Sequence, residues 1–145
     1  MPLISVTRLR VRSWGYVAQF AWQSLKSAKQ AERSTGFLGG RLLRNPKNAF
    51  WTMTAWKEDA AVNAFRSAGA HGRVMRKLLD WCDEAAVVHW HQQTLELPSW
   101  QDAHSRMVKE GRPSKVNYPS AAQASNLIPS PEPSRIEMTL KPARG

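Results

Sequence analysis

His71 is the residue in this sequence best placed to do chemistry. It precedes Val74 by three residues, Met75 by four and Leu78 by seven, the spacing that puts all four on one face of a helix. An imidazole turned toward a core can ligate a metal or haem iron, act as acid or base, or hydrogen-bond a substrate. It can equally be a buried histidine satisfied by a backbone carbonyl or by Trp56. Trp51 and Trp56 sit an odd number of positions apart in a strand pattern, so they face opposite sides of a sheet. One can wall a cavity that holds a flat ligand by stacking while the other packs a dimer core, or both can simply fill the interior. His89 and His91 share a strand face at a spacing open to a metal. No carboxylate or thiol stands with them, so a polar row toward solvent or a second copy explains them better. His104 reads as a surface residue.

Other reactive types are poorly supported. Cys82 has no basic neighbour in sequence to lower its pKa. Asp80, Asp83 and Glu84 around it read as a solvated turn at a helix end. Arg8, Arg10 and Arg12 alternate along one strand face, where they can meet anionic groups such as haem propionates or keep an exposed edge soluble. The run Gly36-Phe37-Leu38-Gly39-Gly40 does not lead into a helix and is not a phosphate cradle.

These residues need elements to hold them. Leu3 to Val11 alternates as a strand, and Ser13 can cap a helix over Trp14–Ala31, where Val17, Phe20, Ala21, Ser24 and Ala28 form a stripe. After Ser34-Thr35-Gly36 comes a short strand, Phe37–Leu43, then a turn at Asn45–Asn48. Ala49–Trp56 is the clearest strand and is bulky on both faces, as a doubly covered strand would be. Asp59 to Trp81 reads as one bent helix or two short ones, with Ala61, Ala64, Phe65 and Ala68 on its first stripe and Gly69 interrupting it. Ala85–His91 is a fourth strand, and Pro98–Gly111 a short helix capped by Ser99 and carrying Trp100, Ala103 and Met107. The order β-α-β-β-α-β is the split βαβ plan of an α+β, ferredoxin-like domain, expected over residues 1–111. Helices cover one face of such a sheet, and the commonest cover for the other is a second copy. Residues 112–145, with scattered prolines and basic residues, read as an extended or disordered tail in which an arm near Val116–Tyr118 can wrap the body and a short strand can form at Ile136–Leu140.

Composition bounds the function. The chain has 145 residues, seven tryptophans and a formal net charge of +10. Nine Lys/Arg against Glu32 alone lie in the first 50 residues. That balance permits contact with nucleic acid or anionic membrane and suits an anionic ligand, though a solvated basic surface also explains it. No groove-reading motif accompanies the charge, which argues against a nucleic-acid binder. No apolar run approaches the ~20 residues of a membrane span. A lone cysteine and the lack of a visible signal segment point to the cytoplasm.

The run Ala49-Phe50-Trp51-Thr52-Met53-Thr54-Ala55-Trp56-Lys57-Glu58-Asp59-Ala60-Ala61-Val62-Asn63-Ala64-Phe65, followed by Ser67-Ala68-Gly69-Ala70-His71, resembles the centre of antibiotic-biosynthesis-monooxygenase-like proteins. It is also similar to small proteins related to that family and to spheroidene monooxygenase. The resemblance spans roughly residues 3–91. It implies a dimeric α/β barrel with a pocket between sheet and helices, in which Trp56 matches the strand-end tryptophan. His71 matches the helix histidine, the proximal iron ligand in the haem-degrading branch. Two departures stand out: the first strand offers Ser5 and Thr7 where active members often carry Asn, and Phe65 stands where many carry another His.

Two classes of function are therefore expected. One is a monooxygenase acting on a flat hydrophobic or aromatic substrate, cofactor-free or haem-dependent. Its candidate site comprises His71 and Trp56, with Trp51, Phe65, Met75 and Phe20 around the substrate. The other is a non-catalytic haem or hydrophobic-ligand carrier, or a dimeric interaction module. A homodimer is expected in either case.

Overall fold

The architecture follows from one antiparallel sheet whose two faces are covered by different parts of the chain. The structure is a computed structural model and describes residues 1–69, 75–132 and 136–143. In chain order the elements are β1 (Leu3–Val11), α1 (Trp14–Arg33), β2 (Phe37–Asn45), a 3₁₀ turn (Pro46–Asn48) and β3 (Ala49–Trp56). Then come α2 (Asp59–Ser67), α3 (Leu78–Trp81), β4 (Cys82–His91) and α4 (Trp100–Glu110). The short β5 (Arg112–Pro113), α5 (Ala121–Ala124) and β6 (Ile136–Leu140) complete it. Among the described residues the strands form one six-stranded sheet in the order β5-β4-β1-β3-β2-β6. Its four central strands with α1 and α2 are the ferredoxin-like α+β core. No helix among the described residues is long and apolar enough to cross a membrane.

Local chemistry sets the elements. Ser13 caps α1 by accepting a hydrogen bond from the Gly15 amide, and Arg33 faces the negative end of its dipole. Gly36 then turns the chain at φ +86°. A Cβ there would lie 2.7 Å from Ala61 Cβ, so the turn demands glycine both for its φ and for the close approach of α2. The Gly36 carbonyl also accepts from the Lys57 amide at 2.7 Å, tying this turn to the entry of α2. Among the described residues of Asp59–Trp81 the chain forms α2 and α3, and Gly69 beyond α2 stands at φ +56°. His71 and Val74 lie outside the described residues.

Alternation sorts β1 and β3 between two cores. On one face Leu3, Phe37 and Trp56 pack under Ala28, Ala31 and Val62 of the helices. On the other, Ile4, Val6, Trp51, Met53, Val88 and Trp90 are buried under Ala103 and Met107 of α4. On this second face α4 of the same chain packs against the sheet. Ser99 caps α4 through the Asp102 amide, and the i, i+4 pair Ala103 and Met107 is completely buried. The same chain therefore dries this face, at an area gain of about 25 cal/mol per Å² of apolar surface.

Three sequence expectations are corrected. The fourth strand starts at Cys82, not Ala85, so Asp83 and Glu84 belong to the sheet and not to a solvated turn. What permits this is the arginine row of β1. Arg8 is itself buried and donates from Nη1 to Glu84 Oε1 at 2.6 Å, while Arg10 reaches Oε2 at 3.0 Å. β1 is consequently a central strand, and its arginines are neither an exposed edge nor free for an external anion. Third, His104 is half-buried, its Nε2 against the Ile128 carbonyl at 2.8 Å and its ring edge-on to Trp51.

Beyond Arg112, Gln123 stitches the chain to β4 by bonding both the amide and the carbonyl of Ala85. Asn45 exchanges two hydrogen bonds with the Glu132 backbone. The strand at Ile136–Leu140 forms and pairs with β2 from Gly40↔Leu140 to Arg44↔Ile136.

Candidate functional site

α1 is anchored at two ends and spans a polar middle. Near its start Phe20 packs against Phe50 at 4.6 Å, in a cluster with Val11 and Leu9. Near its end Ala28 and Ala31 sit on the Leu3–Phe37–Trp56 cluster. The sheet rows between these anchors are not hydrocarbon. Register places Ser5 between Thr54 and His89, and Thr7 between Thr52 and Val87. Ser5, Thr7 and Thr52 stay half-buried and His89 is exposed, so the helices do not seal this strip. Between its two anchors α1 carries Ser24 and Ser27, and Ser27 Oγ is buried with no hydrogen-bond partner among the described residues. Half-buried hydroxyls on the sheet, with an unanswered hydroxyl on the helix, can hydrogen-bond the polar edges of a ligand that has an apolar body.

Aromatic residues close one end of the strip. Trp56 is fully buried and donates from Nε1 to Thr54 Oγ1 at 2.9 Å, which fixes the indole plane. Phe37 meets it edge-on at 5.2 Å, and Phe65 lies tilted against it at 5.1 Å. Trp56 and Phe65 are thus brought together. Phe20, Met75 and Trp51 are not. Phe20 stands at the opposite end of α1, and Met75 is 43% exposed. Trp51 is buried on the other sheet face, edge-on to Trp100 at 6.3 Å. His71 is outside the described residues. Ser27 was not legible in the sequence, because only the burial of its hydroxyl without a partner singles it out.

Neighbouring groups are committed elsewhere. His91 Nε2 lies 2.6 Å from Asp59 Oδ1, a pair that fastens the end of β4 to the start of α2. No cluster of three or more metal-binding side chains occurs among the described residues. Cys82 is completely buried, and its thiol is pushed up to about 12, first by burial and then by the Asp83 charge. Glu84 is held below the usual carboxylate range. Burial alone would raise it, but hydrogen bonds from Arg8 and Ser120 and the Arg8 charge outweigh that. Asp83 is shifted the other way: burial, with help from the Glu84 charge, raises it against the attraction of Arg10. Beside this cluster is a cavity of about 180 Å³ bordered by Arg8, Arg10, Asn45, Lys47 and Ser130. It is smaller than the ~300 Å³ at which ligand pockets begin.

No family profile matches the chain, and no curated protein matches it in sequence. Solved structures do match in fold. SnoaB, a cofactor-independent oxygenase from Streptomyces nogalater, superposes with a TM-score of 0.51 at 20% identity, over 65% of this chain and 96% of SnoaB. PA3566 from Pseudomonas aeruginosa gives a TM-score of 0.57 at 14% identity, over 64% of this chain and 95% of its own. A structure described as an antibiotic biosynthesis monooxygenase gives 0.56 at 12%, over 63% and 99%. This chain has the fold of antibiotic-biosynthesis-monooxygenase-like proteins. About a third of it lies outside what those structures cover.

Proposed function

We propose that the protein is a monooxygenase for a flat hydrophobic or aromatic substrate, bound between α1 and the hydroxyl rows of the sheet. The observation that carries this is the unsealed strip of Ser5, Thr7 and Thr52, with the unanswered Ser27 hydroxyl on α1, walled at one end by the Trp56–Phe65 pair. Such a strip hydrogen-bonds the oxygens of a phenolic substrate while the indole and phenyl faces hold its rings. The cofactor-independent form of the chemistry fits best. The phenol loses its O–H proton, and the anion reduces dioxygen. One oxygen atom becomes a ring carbonyl, the ring C–H hydrogen and the phenolic proton leave with the other as water, and the substrate supplies all four electrons. Desolvation and orientation are the protein's contribution. His71 is the proton acceptor we select from the sequence.

A haem-dependent version fits the residues less well. The arginines that would meet propionates are Arg8 and Arg10, which lie on the sheet face opposite Trp56 and are held by Glu84. Arg12 is bonded to the Asp80 carbonyl and stacked on Tyr118.

A second reading, a carrier of hydrophobic ligands, is favoured by the hydroxyl rows themselves, since Ser5, Thr7, Thr52 and Thr54 include no acid or base. Oxygen uptake with polycyclic phenols decides between the two. Turnover that falls at least tenfold in His71→Ala while tryptophan quenching by the same phenol persists supports catalysis. Quenching without oxygen uptake leaves the carrier. Neither signal, or quenching unaffected by Trp56→Phe and Thr52→Val, removes the strip as the site.

A further inference from the structure

α1 carries two apolar faces, and the sheet uses only one. Stepping about 100° per residue, Phe20, Ala28 and Ala31 point to the core. On the far side lie Trp14, Ala18, Trp22 and Leu25, with Trp14 72%, Trp22 60% and Leu25 45% exposed. Continuing along the same outer face, Lys29 and Arg33 are exposed, and Lys26 flanks them. Lys26 Nζ stands 5.2 Å from the Trp22 ring centroid. The single acid of the helix, Glu32, does not answer this charge. Its Oε2 accepts from the Lys141 amide at 2.9 Å and its carbonyl from the Ala143 amide at 2.7 Å.

We propose that this outer face of α1 docks on an anionic lipid surface, with Trp14, Trp22 and Leu25 entering the interface and Lys26, Lys29 and Arg33 meeting headgroup phosphates. Charge selects the partner. Indoles favour the boundary between headgroups and acyl chains, and basic residues flanking them are drawn to anionic lipid. A second copy suits the face poorly. An isologous helix pair would bring no carboxylate to three cations on either side. The apolar patch also covers roughly 400 Å² by side-chain size, about half of what each partner of a stable dimer contributes. The helix lies flat along the body for about 30 Å, so its whole outer face can meet a plane at once. The strip beneath α1 would then open close to a reservoir of hydrophobic molecules.

Flotation of the full chain with phosphatidylcholine vesicles, with and without phosphatidylglycerol, tests this. The expected result is retention by the anionic vesicles alone, weakened by salt, with a blue shift of tryptophan emission. Lys26→Gln/Lys29→Gln/Arg33→Gln should lower the partition roughly 100-fold. Trp14→Ser/Trp22→Ser should abolish the blue shift. All variants are surface changes, and circular dichroism and melting confirm that they fold. Brominated lipid quenching on the unaltered chain gives a second readout, expected to quench the exposed tryptophans. Failure to bind anionic vesicles, equal binding to neutral ones, or vesicle-independent self-association that is lost in Trp14→Ser/Trp22→Ser overturns the proposal.

Discussion

Replacing Glu84 with glutamine isolates the electrostatic centre of the sheet. Glu84 accepts three hydrogen bonds: from Arg8 at 2.6 Å, Arg10 at 3.0 Å and Ser120 at 2.8 Å. Both Arg8 and Glu84 side chains are less than a tenth exposed. Glutamine keeps the shape and can still accept, but it leaves the buried Arg8 guanidinium without the carboxylate that hydrogen-bonds it, which costs about 3–5 kcal/mol. Removing both charges at once should be far milder. Arg8→Met/Glu84→Leu replaces the pair with hydrocarbon and is expected to lie within about 2 kcal/mol of the parent. Urea titrations followed by tryptophan fluorescence measure all four corners of the cycle. The pH dependence has a definite sign. The folded-state pKa of Glu84 is depressed, so its stabilisation is present above the ordinary value of 4.5 and is lost as pH falls through the folded value. The gap between the parent and Glu84→Gln should therefore close in acid. Asp83 works against this trend. Its pKa is raised, so its ionised form costs stability at neutral pH and that cost vanishes as pH falls through its folded value. The reasoning fails if Glu84→Gln costs under about 1 kcal/mol, or if the double variant loses the sum of the single losses.

Other outcomes follow from burial and pairing. Cys82, with its thiol at about 12 and no exposure, should not react with a disulfide reagent at pH 8 and should react fully once guanidinium unfolds the chain. Met107→Ala opens a void where α4 meets the sheet and should lower stability by about 2–5 kcal/mol in the same urea assay. Truncation before Ile136 strips β6 from β2 and exposes that strand's free edge. It should lower the melting temperature and produce concentration-dependent association in sedimentation, whereas a loss of neither would show that β6 adds nothing to the sheet.

Much of the architecture is local and was readable. Alternation delimited β3 at Ala49–Trp56 and set Trp51 and Trp56 on opposite faces, because a strand's period of two needs no knowledge of its neighbours. Caps at Ser13 and Ser99 and the turn at Gly36 were legible for the same reason, each acting within a few residues. Pairings between distant segments were not legible. Asp83 and Glu84 looked like a solvated turn because the arginines that draw Glu84 into the sheet lie more than 70 positions away. The α4 stripe was visible, but not that it would cover the face holding Trp51, since a stripe specifies that it must be buried and not against what. The candidate site divides in the same way. Sequence alone determined the residue types and the faces of Ser5, Thr7, Trp56 and Phe65. Only the tertiary structure decided that α1, fastened at Phe20 and Ala31, would bridge the hydroxyl rows without closing them, because that depends on the register of three strands and the seating of one helix at once.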